Sequence, residues 1–315
     1  MRLRHFILLL CFCRLTTAQE LPVAQQYMQN LSYLNPACIG REYCTFFYGT
    51  DRHQWLGVSQ APATQVLGVE HTFFSNPYIA SRKIGLALQF ISDRNGSVHQ
   101  TGGQAGYAYH VKLNRKKELF LSMGLSASLL QHSIREGESN VTNDQALGAG
   151  ESILVPDVST GVFVYSPRFY VGFSVLRMLP YARQFYYWEN QGFIPGNYYV
   201  QAGYTIMTRS KDIAFIPSAV FKFDNLMSKQ IDFNLITNFS NRYKAGVSYR
   251  YALANVPGQS TALQFLIATY YKNFQFNYIA ELSLNGTQAH HYGSHEFGII
   301  YRICYREKPQ CPAFE

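Results

Sequence analysis

The stretch 293–303 reads GSHEFGIIYRI, and its side chains alternate in character. Phe297, Ile299, Tyr301 and Ile303 share one face of an extended chain, and Glu296, Gly298, Ile300 and Arg302 share the other. Successive side chains of a strand point to opposite faces, so this period of two predicts a β-strand. One face is apolar and aromatic and the other carries both charges. The strand is therefore expected to lie between an apolar surrounding and a polar one.

Upstream segments repeat the pattern. Residues 41–56, with Tyr43, Phe46, Phe47, Tyr48 and Trp55, give an imperfect first strand. In 62–74, Leu67, Val69 and Phe73 oppose Thr64, Gly68, Glu70 and Thr72; in 83–92, Ile84, Leu86, Leu88 and Phe90 oppose Gly85, Ala87 and Gln89. The segments 100–112, 119–132, 157–166 and 169–177 follow, with Gly and Ser filling the polar face. The second half continues through 198–208, 213–223, 230–239, 242–251, 261–271, 274–284 and 294–303. That makes about fourteen strands, an even number as bacterial outer-membrane barrels require.

The connections support a barrel over a sandwich. After even-numbered strands they are short, as at Ser166-Pro167-Arg168, 208–212, Ser240-Asn241 and Lys272-Asn273; after odd-numbered strands they are longer, most of all 133–156 and 178–197. Short periplasmic turns and long external loops are the asymmetry of outer-membrane barrels, and it puts both termini in the periplasm. The residues Glu296, Gly298, Tyr301 and Ile303 also resemble the C-terminal signal read by outer-membrane assembly machinery. They are the expected closing seam, where the last strand pairs with the first.

Composition agrees. Aromatic residues make up 16% of the chain and charged residues only 15%, yet no segment after the N-terminus approaches the apolar length of a membrane helix. Arg2 and Arg4, the apolar run 6–12 and Thr16-Thr17-Ala18 read as a secretory signal peptide cleaved near Ala18. Its removal takes away three arginines and no acid, and lowers the formal net charge from +8 to +5. The expected organisation is a signal peptide (1–18), an irregular periplasmic segment (19–40), an all-β transmembrane antiparallel barrel (41–303) and a periplasmic tail (304–315). Localisation is then the Gram-negative outer membrane, with lipid as the first partner.

The candidate sites are few. Lys222, Asp232, Lys244, Arg250, Glu281, Glu296 and Arg302 lie on the polar face, with Glu70. Lipid exposure of Arg or Lys at the bilayer midplane costs about 2–4 kcal/mol, so these charges are assigned to the lumen. Arg52, Gln54 and Trp55 sit near the first external turn and form a candidate partner-binding surface, as do Cys311, Pro312 and Phe314 in the tail. Cys38, Cys44, Cys304 and Cys311 survive signal removal; an exported chain permits disulfides, and these four allow three pairings. The tail is a candidate docking segment tied down by a disulfide. His290, His291, His295 and Glu296 are the densest set of ligating residues. His291 and His295 have helical spacing in a turn-and-strand context, so no metal is expected. Gly57-Val58-Ser59-Gln60-Ala61 lacks the closing glycine of a nucleophile elbow. No phosphate-binding or dinucleotide motif is present, so neither catalysis nor a cofactor is expected. The thinly spread basic residues do not suggest nucleic acid.

Taken in order, short pieces of the chain resemble one family. They are Gln26-Tyr27-Met28, Tyr33-Leu34-Asn35-Pro36-Ala37, Arg52 with Gln54-Trp55, and Pro62-Ala63-Thr64-Gln65. Tyr170-Val171-Gly172, Ala202-Gly203-Tyr204, Pro217-Ser218, Ser248-Tyr249-Arg250, Gly293-Ser294-His295-Glu296 and the Cys-Pro-x-Phe ending follow. This set is similar to the PorP/SprF outer-membrane proteins of the type IX secretion and gliding machinery. Tyr278-Ile279 departs from it, because relatives commonly have Tyr-Asp there. The resemblance implies a non-enzymatic barrel working with a periplasmic lipoprotein ring (PorK and PorN), the PorL/PorM motor and a peptidoglycan-binding partner, PorE. It also implies a part in anchoring exported cargo, for which the loops 133–156 and 178–197 are the expected surface. The alternative, from a different functional class, is an outer-membrane porin or transporter of small or hydrophobic solutes.

Overall fold

The computed structural model describes residues 25–74, 82–114, 118–134, 152–179, 196–210, 212–224, 229–240, 242–253, 261–284 and 291–304. The expected signal peptide, most of the tail and most of the two longest loops lie outside them. Each alternating segment is a strand: β1 (Cys44–His53), β2 (Ala63–Phe74), β3 (Arg82–Asn95), β4 (Val98–Asn114), β5 (Leu119–Ile134), β6 (Ser152–Tyr165) and β7 (Phe169–Leu176). Then come β8 (Asn197–Tyr204), β9 (Ile206–Met207), β10 (Ile213–Asp224), β11 (Lys229–Phe239), β12 (Tyr243–Ala252), β13 (Ala262–Tyr271), β14 (Phe274–Ser283) and β15 (Ser294–Cys304).

Apart from β8 and β9, which both pair with β10, each strand pairs antiparallel with its sequence neighbours, and β15 returns to pair with β1 from His53 opposite His295 to Cys44 opposite Cys304. β8 and β9 pair with β10 in one continuous register, Gly203 opposite Ser218 and Ile206 opposite Phe215, so they form a single stave interrupted at Thr205. The result is a closed barrel of fourteen antiparallel staves. Closure leaves no strand edge facing hydrocarbon, which is the condition for a sheet to cross a membrane. Among the described residues no helix is long and apolar enough to do so.

The two faces divide as the alternation requires. Leu67, Leu88, Leu125, Val171, Ile267 and Phe297 are half or more exposed on the outside, while their neighbours in sequence turn inward and are mostly buried. Glu296 and Gly298 face inward on β15; Tyr301 faces outward, opposite Phe47 of β1 and Phe274 of β14. The longest connections follow odd-numbered staves as expected, but two others after odd-numbered staves are short, β3–β4 and the four residues between β10 and β11. The β3–β4 turn at 96–97 is only two residues, and Gly96 takes the positive φ of 59° that so tight a turn demands.

The interior departs from the expectation of an all-polar lining. Ile216, Ile236, Leu266 and Ile279 point inward and are essentially unexposed. They pack with Tyr27, Met28, Leu31 and Leu34. The residues preceding β1 explain why. Residues 19–40 were expected as an irregular periplasmic segment. Residues 25–43 are irregular, in three short 3-10 turns (Gln25–Met28, Leu31–Tyr33 and Pro36–Cys38), but they lie inside the barrel. They form a plug, and the inward apolar residues are its core. Ile279, the departure from the Tyr-Asp pattern, belongs to that core.

Candidate functional site

The plug holds its shape through two asparagines. Asn30 and Asn35 cap the second and third turns, their side-chain oxygens accepting from Ser32 N at 3.0 Å and Ala37 N at 2.9 Å. Pro36 follows as the first residue of its turn, where its missing N–H and fixed φ cost nothing.

On the side of β3–β7 the wall presents small residues, and the plug main chain lies directly on them. A Cβ on Gly124 would come within 2.3 Å of Ala37 N and the Pro36 carbonyl carbon, and one on Gly161 within 2.0 Å of Asn35 Oδ1. Only glycine admits contact this close. The wall then donates to plug carbonyls: Ser174 Oγ to Leu34 O at 2.5 Å, Ser122 Oγ to Ala37 O, His110 Nε2 to Ile39 O at 2.7 Å and Lys83 Nζ to Arg41 O. Asn35 Nδ2 returns a bond to Val162 O at 3.2 Å. Carbonyls left without partners in a lumen would cost about 1–3 kcal/mol each. The Lys83 ammonium also lies 4.4 Å from the Tyr43 ring centroid, with the Phe120 and Tyr165 rings beyond.

The wall of β11–β14 and β1 is charged. Arg250 is the hub: its Nε lies 3.2 Å from Asp232 Oδ1 and its NH1 3.0 Å from Glu281 Oε2. Asp232 and Arg250 are directly opposite across β11 and β12. Arg52 reaches Glu281 at 3.6 Å, and Gln230 and Gln264 donate to Asp232 and Glu281 at 2.8 and 2.9 Å. The plug joins through Tyr27, whose hydroxyl donates to Asp232 Oδ2 at 2.7 Å. Burial and then the neighbouring Asp232 carboxylate push that hydroxyl well above its ordinary pKa, so it stays a donor. Gln275 donates to Gln29 at 2.8 Å.

At the junction with β1, Arg41 pairs with Glu42 at 3.1 Å, and Glu70 accepts from Gly40 N at 2.7 Å. Burial acts to raise the Glu42 carboxyl, but Arg302, Arg41 and Lys244 outweigh it and hold its pKa below the ordinary value. A cavity of ≈ 20 Å³ between Gln29, Arg41, Glu42, Glu70 and Arg302 has room for a water molecule. Toward the rim of the longer connections, a pocket of ≈ 130 Å³ is floored by Ser32, Tyr33, Leu34 and Pro36. Its walls are neutral amides, hydroxyls and aliphatic groups, with Asp93 and Arg177 as the charged exceptions.

The lumen residues Lys222, Asp232, Lys244, Arg250, Glu281 and Glu296 all face inward and are buried, and Arg302 faces inward half-buried. Arg52, expected on a partner-binding surface, belongs to this interior. It is 4% exposed, paired with Glu281 and bonded to Gln54 Oε1 at 3.2 Å, because its position on β1 has inward parity. Trp55 is the part of that trio at the outer surface, 37% exposed beside His291. His291 Nδ1 accepts from Gly293 N at 2.9 Å, while His295 faces outward at 2.6 Å from the Tyr278 hydroxyl, so the two do not converge. His290, Cys311, Pro312 and Phe314 lie outside the described residues. Cys44 and Cys304 are joined by a disulfide across the closing seam, so the bridge takes Cys304 to the first strand and not to the tail's own Cys311. Cys38 is a buried thiol in the plug.

Sequence reasoning missed the plug and its cradle. The available signal was the contrast between inward faces: Gly and Ser on β3–β7 against Lys, Asp, Arg and Glu on β10–β15.

The sequence that builds this barrel matches one known family. A model described as "Type IX secretion system membrane protein PorP/SprF" matches residues 16–301. The chain belongs to the PorP/SprF family. Family and fold together support placement in the outer membrane. Comparison with curated proteins found no match. Among solved structures, this PorP/SprF barrel is similar to Omp33 of Acinetobacter baumannii, at 10% identity and TM-score 0.44, covering 84% of this chain and 100% of that one. It is also similar to BamA from Haemophilus ducreyi, at 7% identity and TM-score 0.46, covering 83% and 70%. Against Salmonella typhi OmpF the values are 10% identity and TM-score 0.40, covering 82% and 97%. The barrel itself rests on its closed strand pairing, not on these likenesses.

Proposed function

We propose that this PorP/SprF protein is a non-enzymatic scaffold of the type IX secretion and gliding machinery, a barrel that holds partners and does not pass solutes. The observation that carries this reading is the plug. Residues 25–43 occupy the lumen and are bonded to both walls, an interior suited to rigidity. In this reading both termini and the rim of Cys44 and Cys304 face the periplasm. There they meet a PorK/PorN-type ring and a PorE-type peptidoglycan-binding protein. The rim of the longer connections, with Trp55 and the neutral pocket above the plug, faces outward and meets exported cargo.

Affinity capture from detergent-solubilised envelopes tests the proposal. Recovery of ring lipoprotein, peptidoglycan-binding protein or exported cargo is expected, and recovery of none of them overturns it. Among the described residues, the pocket above the plug gives the porin or transporter reading its foothold. Steady single-channel conductance or solute uptake by the purified full-length barrel would favour that reading.

A further inference from the structure

Cys44 opens β1 and Cys304 ends β15, directly opposite each other in the seam and 260 residues apart in sequence. Their environments differ. Cys304 is exposed at the rim, whereas Cys44 is 1% exposed beneath it. No hairpin joins β15 to β1, so nothing local brings these sulfurs together; only closure of the whole barrel does. In an open chain the nearer thiol, Cys311, would compete for Cys304. Loop-closure entropy favours that seven-residue partner over one 260 residues away by on the order of 10² in effective concentration. Yet the bridge runs to Cys44.

We propose that Cys304 and Cys44 form a closure-gated oxidation site, sealed by an exported dithiol oxidase after β15 has paired with β1. The exposed Cys304 thiolate attacks the oxidant's disulfide, forming a mixed disulfide and releasing one oxidant thiolate. The Cys44 thiolate, held across the paired strands, then attacks Cys304 Sγ. That forms the Cys44–Cys304 bond and releases the second oxidant thiolate. Two electrons pass to the oxidant, and the two protons lost by the cysteines end on its thiols. The bond fixes the register of first strand on last and blocks lateral opening at the seam.

The test follows a pulse-labelled full-length chain carrying Cys11→Ala, Cys13→Ala, Cys38→Ala and Cys311→Ser, so that only Cys44 and Cys304 can take a mass tag. Folding is scored by mobility of unboiled protein on gels without reductant. The folded band, cut out and tagged only after denaturation because Cys44 is buried, should first take two tags and later none. An unfolded band that has already lost its tags would overturn the gating. In the otherwise wild-type chain, Cys311→Ser should keep the bridge and Cys44→Ser should abolish it; a bridge lost with Cys311→Ser overturns the assignment. Locking is read without substitution. Wild-type barrel treated with a membrane-permeant reductant should convert to unfolded mobility at a lower temperature than oxidised barrel, and identical temperatures would refute the lock.

Discussion

The wall of β3–β7 and the wall of β10–β14 enclose the same plug with opposite chemistry. The first recognises main chain: glycines let residues 34–40 lie against the sheet, and Ser122, Ser174, His110 and Lys83 bond their carbonyls. The second recognises side chains: an apolar patch of Ile216, Ile236, Leu266 and Ile279 receives Met28 and Leu31, and a charged network receives Tyr27. The difference teaches where each wall is fragile. A main-chain cradle tolerates no added atom, whereas a charged network tolerates no subtracted one.

Subtraction from the charged wall should cost most. Arg250→Met takes the guanidinium from the buried carboxylate of Asp232 and the 3.0 Å ion pair from Glu281, an expected loss of about 4 kcal/mol. It is measured as a fall in the temperature at which folded barrel converts on unboiled gels. Adding Asp232→Asn and Glu281→Gln to that variant should recover most of it; no recovery would mean that the network's charge is not what matters.

Addition to the cradle comes next. Gly124→Val drives side-chain atoms into the backbone of Pro36 and Ala37, at about 3 kcal/mol. The plug should leave while the barrel persists, so trypsin should cut after Arg41, which is buried in the native protein. Uncut plug in a folded variant would contradict the cradle. Asn35→Ala removes the cap on Ala37 N and the bond to Val162 O, an expected loss of about 2 kcal/mol with partial trypsin sensitivity. Smallest is Tyr27→Phe, which deletes one hydroxyl bond to Asp232 for about 1.5 kcal/mol. Its conversion temperature should fall slightly with Arg41 still protected. Release of the plug by Tyr27→Phe alone would invert the ranking of the two walls.

The barrel was legible because lipid and lumen impose different solvents on alternate residues. β15 shows it in Phe297, Ile299 and Tyr301 against Glu296 and Arg302, and the outward faces are uniform enough to count staves. The inward charges were legible for the same reason. The plug was not, because its turns are short and capped by asparagine, with no period to detect. Its partners are carbonyls and glycines, which leave no complementary side-chain pattern. Arg52 was misplaced because nearness to a turn suggested exposure, while strand parity turned it inward beside Glu281. Ile279 departs from the family's Tyr-Asp pattern, and only the structure shows it turned inward into one apolar core with Leu31 and Met28.

The seam disulfide has one more consequence, a topological one. It makes residues 44–304 a covalent loop, and the chain preceding residue 44 folds back into that loop. The molecule is a lariat whose tail is seated inside its own noose. Plugs therefore cannot be traded between neighbouring barrels by opening a strand joint. Any release of residues 25–43 has to occur along the barrel axis, against the carbonyl bonds of one wall and the tyrosine of the other.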